Sequence, residues 1–153
     1  MHKIKSEEER FFYLQSGPKT VVTPFVQEIA NLFSNNFEDF VNEFKKWRDT
    51  RIGHTEMEDS QEWEEYFRRR HAHEIIENAL EKPNEHVGTI DGADDAILFI
   101  TIARANGFPT KYLECILKTN NDGTEGHVFA RVYDGGMWKL VDPSSPPDET
   151  GLN

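Results

Sequence analysis

Cys115 is the only cysteine in the chain. A single thiol excludes an internal disulfide and any cysteine-rich metal site. Long apolar runs are also missing. No stretch approaches the roughly 18 residues of a membrane span. The opening Met-His-Lys-Ile-Lys, followed by charged and polar positions, lacks the apolar core of a signal peptide. Positive charge is in deficit: 17 Lys and Arg stand against 28 Asp and Glu, a formal net charge of −11. That balance argues against nucleic acid and anionic membranes as partners. These absences lead us to expect a cytoplasmic protein, with an exported effector as the alternative.

What is present is aromatic and patterned. The 153 residues suit one domain with one core, and 11 Phe, 4 Tyr and 3 Trp rule out disorder by composition. Residues 1–20 read as a short helix or strap, carrying the cluster Phe11-Phe12-Tyr13. Thr23-Pro24 is a helix start, a hydroxyl cap followed by proline at the first helical position. Phe25, Val26, Ile29, Ala30 and Phe33 follow at helical spacing. Asn36 can cap a second helix whose stripe is Phe37, Phe40, Val41, Phe44 and Trp47, with Asp39 and Glu43 outside.

Arg51 to Ser60 reads as a loop. Glu58-Asp59-Ser60 then opens a third helical region, through Leu80, with a solvated charged face and an apolar side of Ala72, Ile75, Ile76 and Leu80. His71 and His73 invite a metal reading. Residues two apart do not share a helix face, and no further ligand cluster is evident, so no metal and no cofactor are expected.

The chain is organised around Thr89 to Pro109. A turn rich in Gly and Asp feeds an apolar run, Ala96 to Ala105, polar only at Thr101 and Arg104. A helix here is buried on nearly all sides, and Asn106-Gly107 followed by Pro109 stops it. Asp91, Asp94 and Asp95 do not fit a calcium loop, and the plain reading is charge stabilisation of a helix N-terminus. Periodicity then turns strand-like: Lys111 to Lys118, a turn over Thr119 to Thr124, His127 to Tyr133, the hairpin turn Asp134-Gly135-Gly136, and Met137 to Asp142. Val128, Ala130 and Val132 share one face of the middle strand. His127, Phe129, Arg131 and Tyr133 share the other. The expected class is α+β, a helical N-terminal half with a buried central helix packed on a C-terminal antiparallel sheet of at least three strands. Residues 21–143 form the domain, and 144–153 read as a flexible tail.

Three features converge on chemistry. They are the helix N-terminus at Gly92-Ala93-Asp94-Asp95, His127 on one strand, and Asp142 at the end of the next. In a meander the hairpin lies midway between His127 and Asp142, so the two should stand side by side. A carboxylate there orients the imidazole. The missing partner is a nucleophile. A thiol in the first turn of the central helix would be activated by the helix dipole and the imidazole.

These residues carry a resemblance. Gly126-His127-Val128-Phe129, Asp134-Gly135-Gly136 and Trp138 through Asp142-Pro143 resemble the His-x-aromatic strand, turn and Trp-x-x-x-Asp-Pro strand of the transglutaminase-like superfamily. Arg104-Ala105-Asn106-Gly107-Phe108-Pro109-Thr110-Lys111 is similar to its Arg-x-x-Gly-x-Pro-x-Arg stretch. Phe25 to Trp47 and His73 to Ile76 resemble its lead-in helices. The resemblance implies a papain-like fold and a Cys-His-Asp thiol enzyme, most simply a peptidase or amidase acting on a peptide or protein substrate. Protein crosslinking is the alternative. It implies His127 and Asp142 as catalytic partners, with Gly92, Asp94 and Trp138 supporting the cleft.

The nucleophile departs from the pattern. The family's Cys precedes an acidic residue, which points to Ala93. Counting back from Ala96 and Arg104 points instead to Gly92. Ala93 is the reading we adopt, and it makes this chain catalytically inert. Either a Cys→Ala change silenced it, the reading favoured by the intact His127, Asp142 and Trp138, or it is a natural binding pseudoenzyme. Cys115 sits mid-strand and is a packing residue rather than a substitute.

Overall fold

The computed structural model describes residues 3–14, 19–54, 70–83, 85, 89–90, 92–118 and 124–147. A short helix α1 (Glu7–Phe12) leads in. Helix α2 (Pro24–Ala30) starts as its sequence dictates: Pro24 takes the first position, and Thr23 Oγ1 accepts from the Val26 N–H at 3.2 Å. Asn36 caps α3 (Phe37–Arg51), its Oδ1 accepting from the Asp39 N–H at 3.1 Å. The stripe of α3 faces inward. Phe40 and Phe44 are fully buried, and both rings pack on Phe99.

The expected loop after Arg51 needs correction. Gly53–His54 form a short strand, β1, paired in parallel with β2 (Thr89–Ile90). Two-residue strands have no periodicity to read, and this pair joins segments far apart in sequence. The expected helix from Glu58 through Leu80 is corrected at Arg70 and His71, which are not helical, while residues 55–69 lie outside the described residues. Helix α4 (Ala72–Glu81) opens on His71 as N-cap. Its buried side is Ala72, Ile75, Ile76 and Ala79, whereas Leu80, expected inside, is 58% exposed.

Helix α5 (Gly92–Ala105) is the buried centre. Every residue from Ala93 to Ala103 is buried. Thr101 satisfies its hydroxyl by donating to the Ile97 carbonyl at 2.7 Å. The helix ends in a Schellman turn: the Phe108 N–H reaches the Ala103 carbonyl, and the Gly107 N–H reaches that of Arg104. Gly107 has φ +91, a conformation that favours glycine. No atom lies within 4 Å of a Cβ built there, so substitution costs backbone strain alone. Gly107→Ala is therefore expected to lose about 1–2 kcal/mol, read as a lower Tm with no change in circular dichroism.

Against α5 lies the antiparallel meander β3 (Thr110–Lys118), β4 (Thr124–Asp134) and β5 (Met137–Val141), in the order β3-β4-β5. Strand β4 starts three residues earlier than the sequence suggests. Gly135 and Gly136 both have positive φ, as a two-residue type I′ hairpin requires. Ala130, Val132 and Val141 are buried on the core-facing side.

The N-terminal segment lies along the far side of this unit. The Thr110 N–H donates to the Tyr13 carbonyl, and the Tyr13 ring meets Trp138 edge-on at 5.0 Å. Arg104 ties three segments together, donating to the Thr110 carbonyl at 2.8 Å and to Thr20 Oγ1 at 3.2 Å. Burial pushes its guanidinium below its ordinary pKa. The α+β architecture is the one the sequence leads us to expect.

Candidate active site

The hairpin register decides how His127 and Asp142 meet. Ala130 pairs with Val141 and Tyr133 with Trp138. Continuing that register puts Asp142 opposite Phe129, with His127 two residues further along the same face. The expected side-by-side pair is thus a diagonal one, within reach of long side chains. The contact is made all the same: His127 Nε2 lies 2.8 Å from Asp142 Oδ2. An ionised carboxylate only accepts, so Nε2 carries the hydrogen and Nδ1 holds the lone pair. The Phe129 ring, 4.6 Å from that of His127, packs beside it. Both members of the pair are partly exposed, at 26% and 15% of their side-chain surface, so the dyad opens to solvent.

Asp142 is held from its other side as well. Its Oδ1 accepts from the Ser144 N–H at 3.0 Å and from the Ser144 hydroxyl at 2.6 Å. Its carbonyl accepts from the Ser145 hydroxyl at 2.9 Å. A carboxylate fixed on both oxygens cannot swing, and it fixes the imidazole in turn.

The first turn of α5 reaches this corner through Arg48. Its guanidinium Nη1 lies 3.5 Å from Asp95 Oδ1 and also donates to the Pro143 carbonyl. Nη2 donates to the Ser145 carbonyl at 3.2 Å. Lys45, fully buried, donates to the Ser145 hydroxyl. Helix α3 thus clamps the segment after β5 beside the start of α5. Sequence reasoning missed Lys45, Arg48, Ser144 and Ser145. A signal for the first two existed: Lys45 is four residues after Val41, and Arg48 four after Phe44. Both cations therefore fall on the buried stripe, where a charge demands a partner.

The remaining expected site residues fall as follows. Gly92 is the first residue of α5, and Ala93, 8% exposed, follows it. Asp94 is fully buried and turns to Arg70, whose Nη2 lies 3.1 Å from Oδ2. Arg70 is thus not on a solvated face, as expected from its charge, but 5% exposed, and it also donates to Asn78 Oδ1. Asp94 and Asp95 each face a guanidinium, an arrangement of ion pairs. Trp138 is not brought to the dyad. It pairs with Tyr133, six residues along β4 from His127, roughly 20 Å away by strand rise. There it packs under Lys111 Nζ at 4.0 Å and between Tyr13 and Tyr133.

The site is therefore an oriented imidazole–carboxylate pair and a helix N-terminus, linked by one buried guanidinium, with no nucleophile at position 92 or 93. Two solved structures share the fold. One is a candidate cysteine protease from Cytophaga hutchinsonii, with TM-score 0.63 and 17% identity over 91% of this chain and 43% of that one. The other is the periplasmic domain of TgpA from Pseudomonas aeruginosa bound to ethylmercury, with TM-score 0.60 and 13% identity over 88% of this chain and 48% of that one. The chain thus spans less than half the length of either. No curated protein matches it. The sequence model of the transglutaminase-like superfamily matches residues 54–143, well over half of the chain, from β1 through the Asp142-Pro143 corner. The chain belongs to the transglutaminase-like superfamily.

Proposed function

We propose that this chain is the scaffold of a thiol amidase or peptidase, silenced by the residue at its nucleophile position. The observation that carries this reading is the His127–Asp142 pair at 2.8 Å, with Asp142 held on both oxygens. Such an arrangement is superfluous for packing at a partly exposed corner. In the Cys-bearing form, a thiolate in the first turn of α5 attacks an amide carbonyl carbon. His127 Nδ1 takes the thiol proton and returns it to the departing amine as the C–N bond breaks. The acyl-thioester that remains is cleaved by water, again with His127 as base. Backbone N–H groups at the start of α5 hold the oxyanion.

Ala93 has no atom that can attack, and neither does Gly92. The present chain therefore binds a peptide or protein segment in the same cleft without cutting it. With a net charge of −11, that segment is not nucleic acid. No helix among the described residues is long and apolar enough to cross a membrane. We place its action in the cytoplasm.

The test restores the thiol. Ala93→Cys and, separately, Gly92→Cys are assayed on peptide amides and on glutamine donors, with and without an amine acceptor. One of the two is expected to hydrolyse amides, and His127→Ala is expected to reduce that rate by roughly 10²–10⁴-fold. Preferential transfer to the amine would assign crosslinking instead. No turnover from either variant would leave the binding reading alone.

A further inference from the structure

His71 and His73 stand two positions apart, and on one continuous helix their side chains would diverge by about 200°. They do not share a helix. His71 is the N-cap of α4, in extended backbone at φ −72 and ψ 158, and the helix begins only at Ala72. The change of backbone brings the two rings together, with centroids 5.6 Å apart. Glu74 joins them from the same first turn. One donor atom from each of His71, His73 and Glu74 lies within 4.8 Å of the other two.

Two details point to a ligand. Glu74 Oε1 accepts from the His71 N–H at 2.9 Å, which fixes the carboxylate beside the imidazole. Glu77 Oε1 lies 3.5 Å from His73 Nδ1. That is the place of the outer carboxylate that orients a ligating imidazole and turns its Nε2 to the metal.

We propose that His71, His73 and Glu74 form a site for a divalent transition-metal ion, Zn²⁺ foremost. Two imidazoles and one carboxylate are a donor set suited to Zn²⁺, and three protein ligands leave a fourth position for water or another ligand. Bonds of about 2.0–2.1 Å require the donors to draw somewhat closer than they stand, a matter of small side-chain rotations. The positive end of the α4 dipole opposes a cation. The charges of Glu74 and Glu77 offset it, and the neighbouring Arg70 is paired with Asp94. A bound ion ties the N-cap to the first turn and steadies Arg70, the residue before His71, against α5.

The test is a titration of chelator-treated protein, with Zn²⁺ followed by calorimetry and Co²⁺ by visible absorption. The expected result is one equivalent bound and a Tm that rises with Zn²⁺. His73→Gln and His71→Asn, the latter keeping a capping side chain, are each expected to weaken binding by roughly tenfold or more. His127→Ala is expected to leave it unchanged. His73→Gln alters a ring 29% exposed and carries the test if His71→Asn fails to fold. No stoichiometric binding, binding that survives His73→Gln, or binding lost in His127→Ala would overturn the proposal.

Discussion

Replacing Arg70 by methionine is expected to cost about 3–5 kcal/mol, the penalty for leaving a buried carboxylate without its countercharge. Asp94 is fully buried and Arg70 is 5% exposed, with 3.1 Å between Nη2 and Oδ2. The pair joins the residue before the α4 N-cap to the first turn of α5, one position past Ala93. Against a total stability of roughly 5–15 kcal/mol for a domain, such a loss lowers Tm by about 10 °C or more. Asp94→Asn should also destabilise, because it removes the buried charge opposite the guanidinium. The double variant should be markedly less harmful than the sum of the two, with a coupling of about 1–3 kcal/mol. Chemical denaturation of the four proteins checks this. Strict additivity would show that the pair does not hold α4 to α5.

The local rules of the sequence carried far. Thr23-Pro24 and Asn36 start helices because a cap is written within three residues of its partner. Gly107 stops α5 because its φ is positive. Ala96 to Ala105 reads as buried on nearly all sides because only Thr101 and Arg104 are polar in it. The His127–Asp142 pair was legible from two strands and a turn. What stayed hidden is non-local. The parallel pair β1 and β2 joins residues 36 positions apart and has no pattern of its own. Arg70 reads as a solvated charge until Asp94 is seen opposite it. The choice of Ala79 over Leu80 for the core depends on a small rotation of α4 against its neighbours. A one-residue difference in where the hairpin turns made the dyad diagonal. Helix periodicity argues against a metal reading of His71 and His73, and that periodicity does not apply where His71 caps the helix from outside.

The larger expected effect concerns the thiol that the chain lacks. A free cysteine of pKa about 8.5 is roughly 0.3% thiolate at pH 6. A thiol whose pKa is drawn down to about 5 by a helix N-terminus and an imidazolium is about nine-tenths thiolate there. Lower basicity makes each thiolate a weaker nucleophile, and with a Brønsted slope of about 0.4–0.5 most of the gain is returned. A net advantage of about tenfold in alkylation rate at pH 6 remains. It depends on His127 because Nε2 is engaged by Asp142, leaving Nδ1 to share the thiol's proton. Removing the ring should return the thiol to ordinary reactivity.

The most direct measurement is therefore the rate of iodoacetamide alkylation at pH 6 of Gly92→Cys and Ala93→Cys, each in a Cys115→Ser background, with and without His127→Ala. One of the two positions is expected to alkylate about tenfold faster than free cysteine and to lose that advantage when His127 is removed. Rates at both positions no faster than free cysteine, and unchanged by His127→Ala, would contradict this expectation.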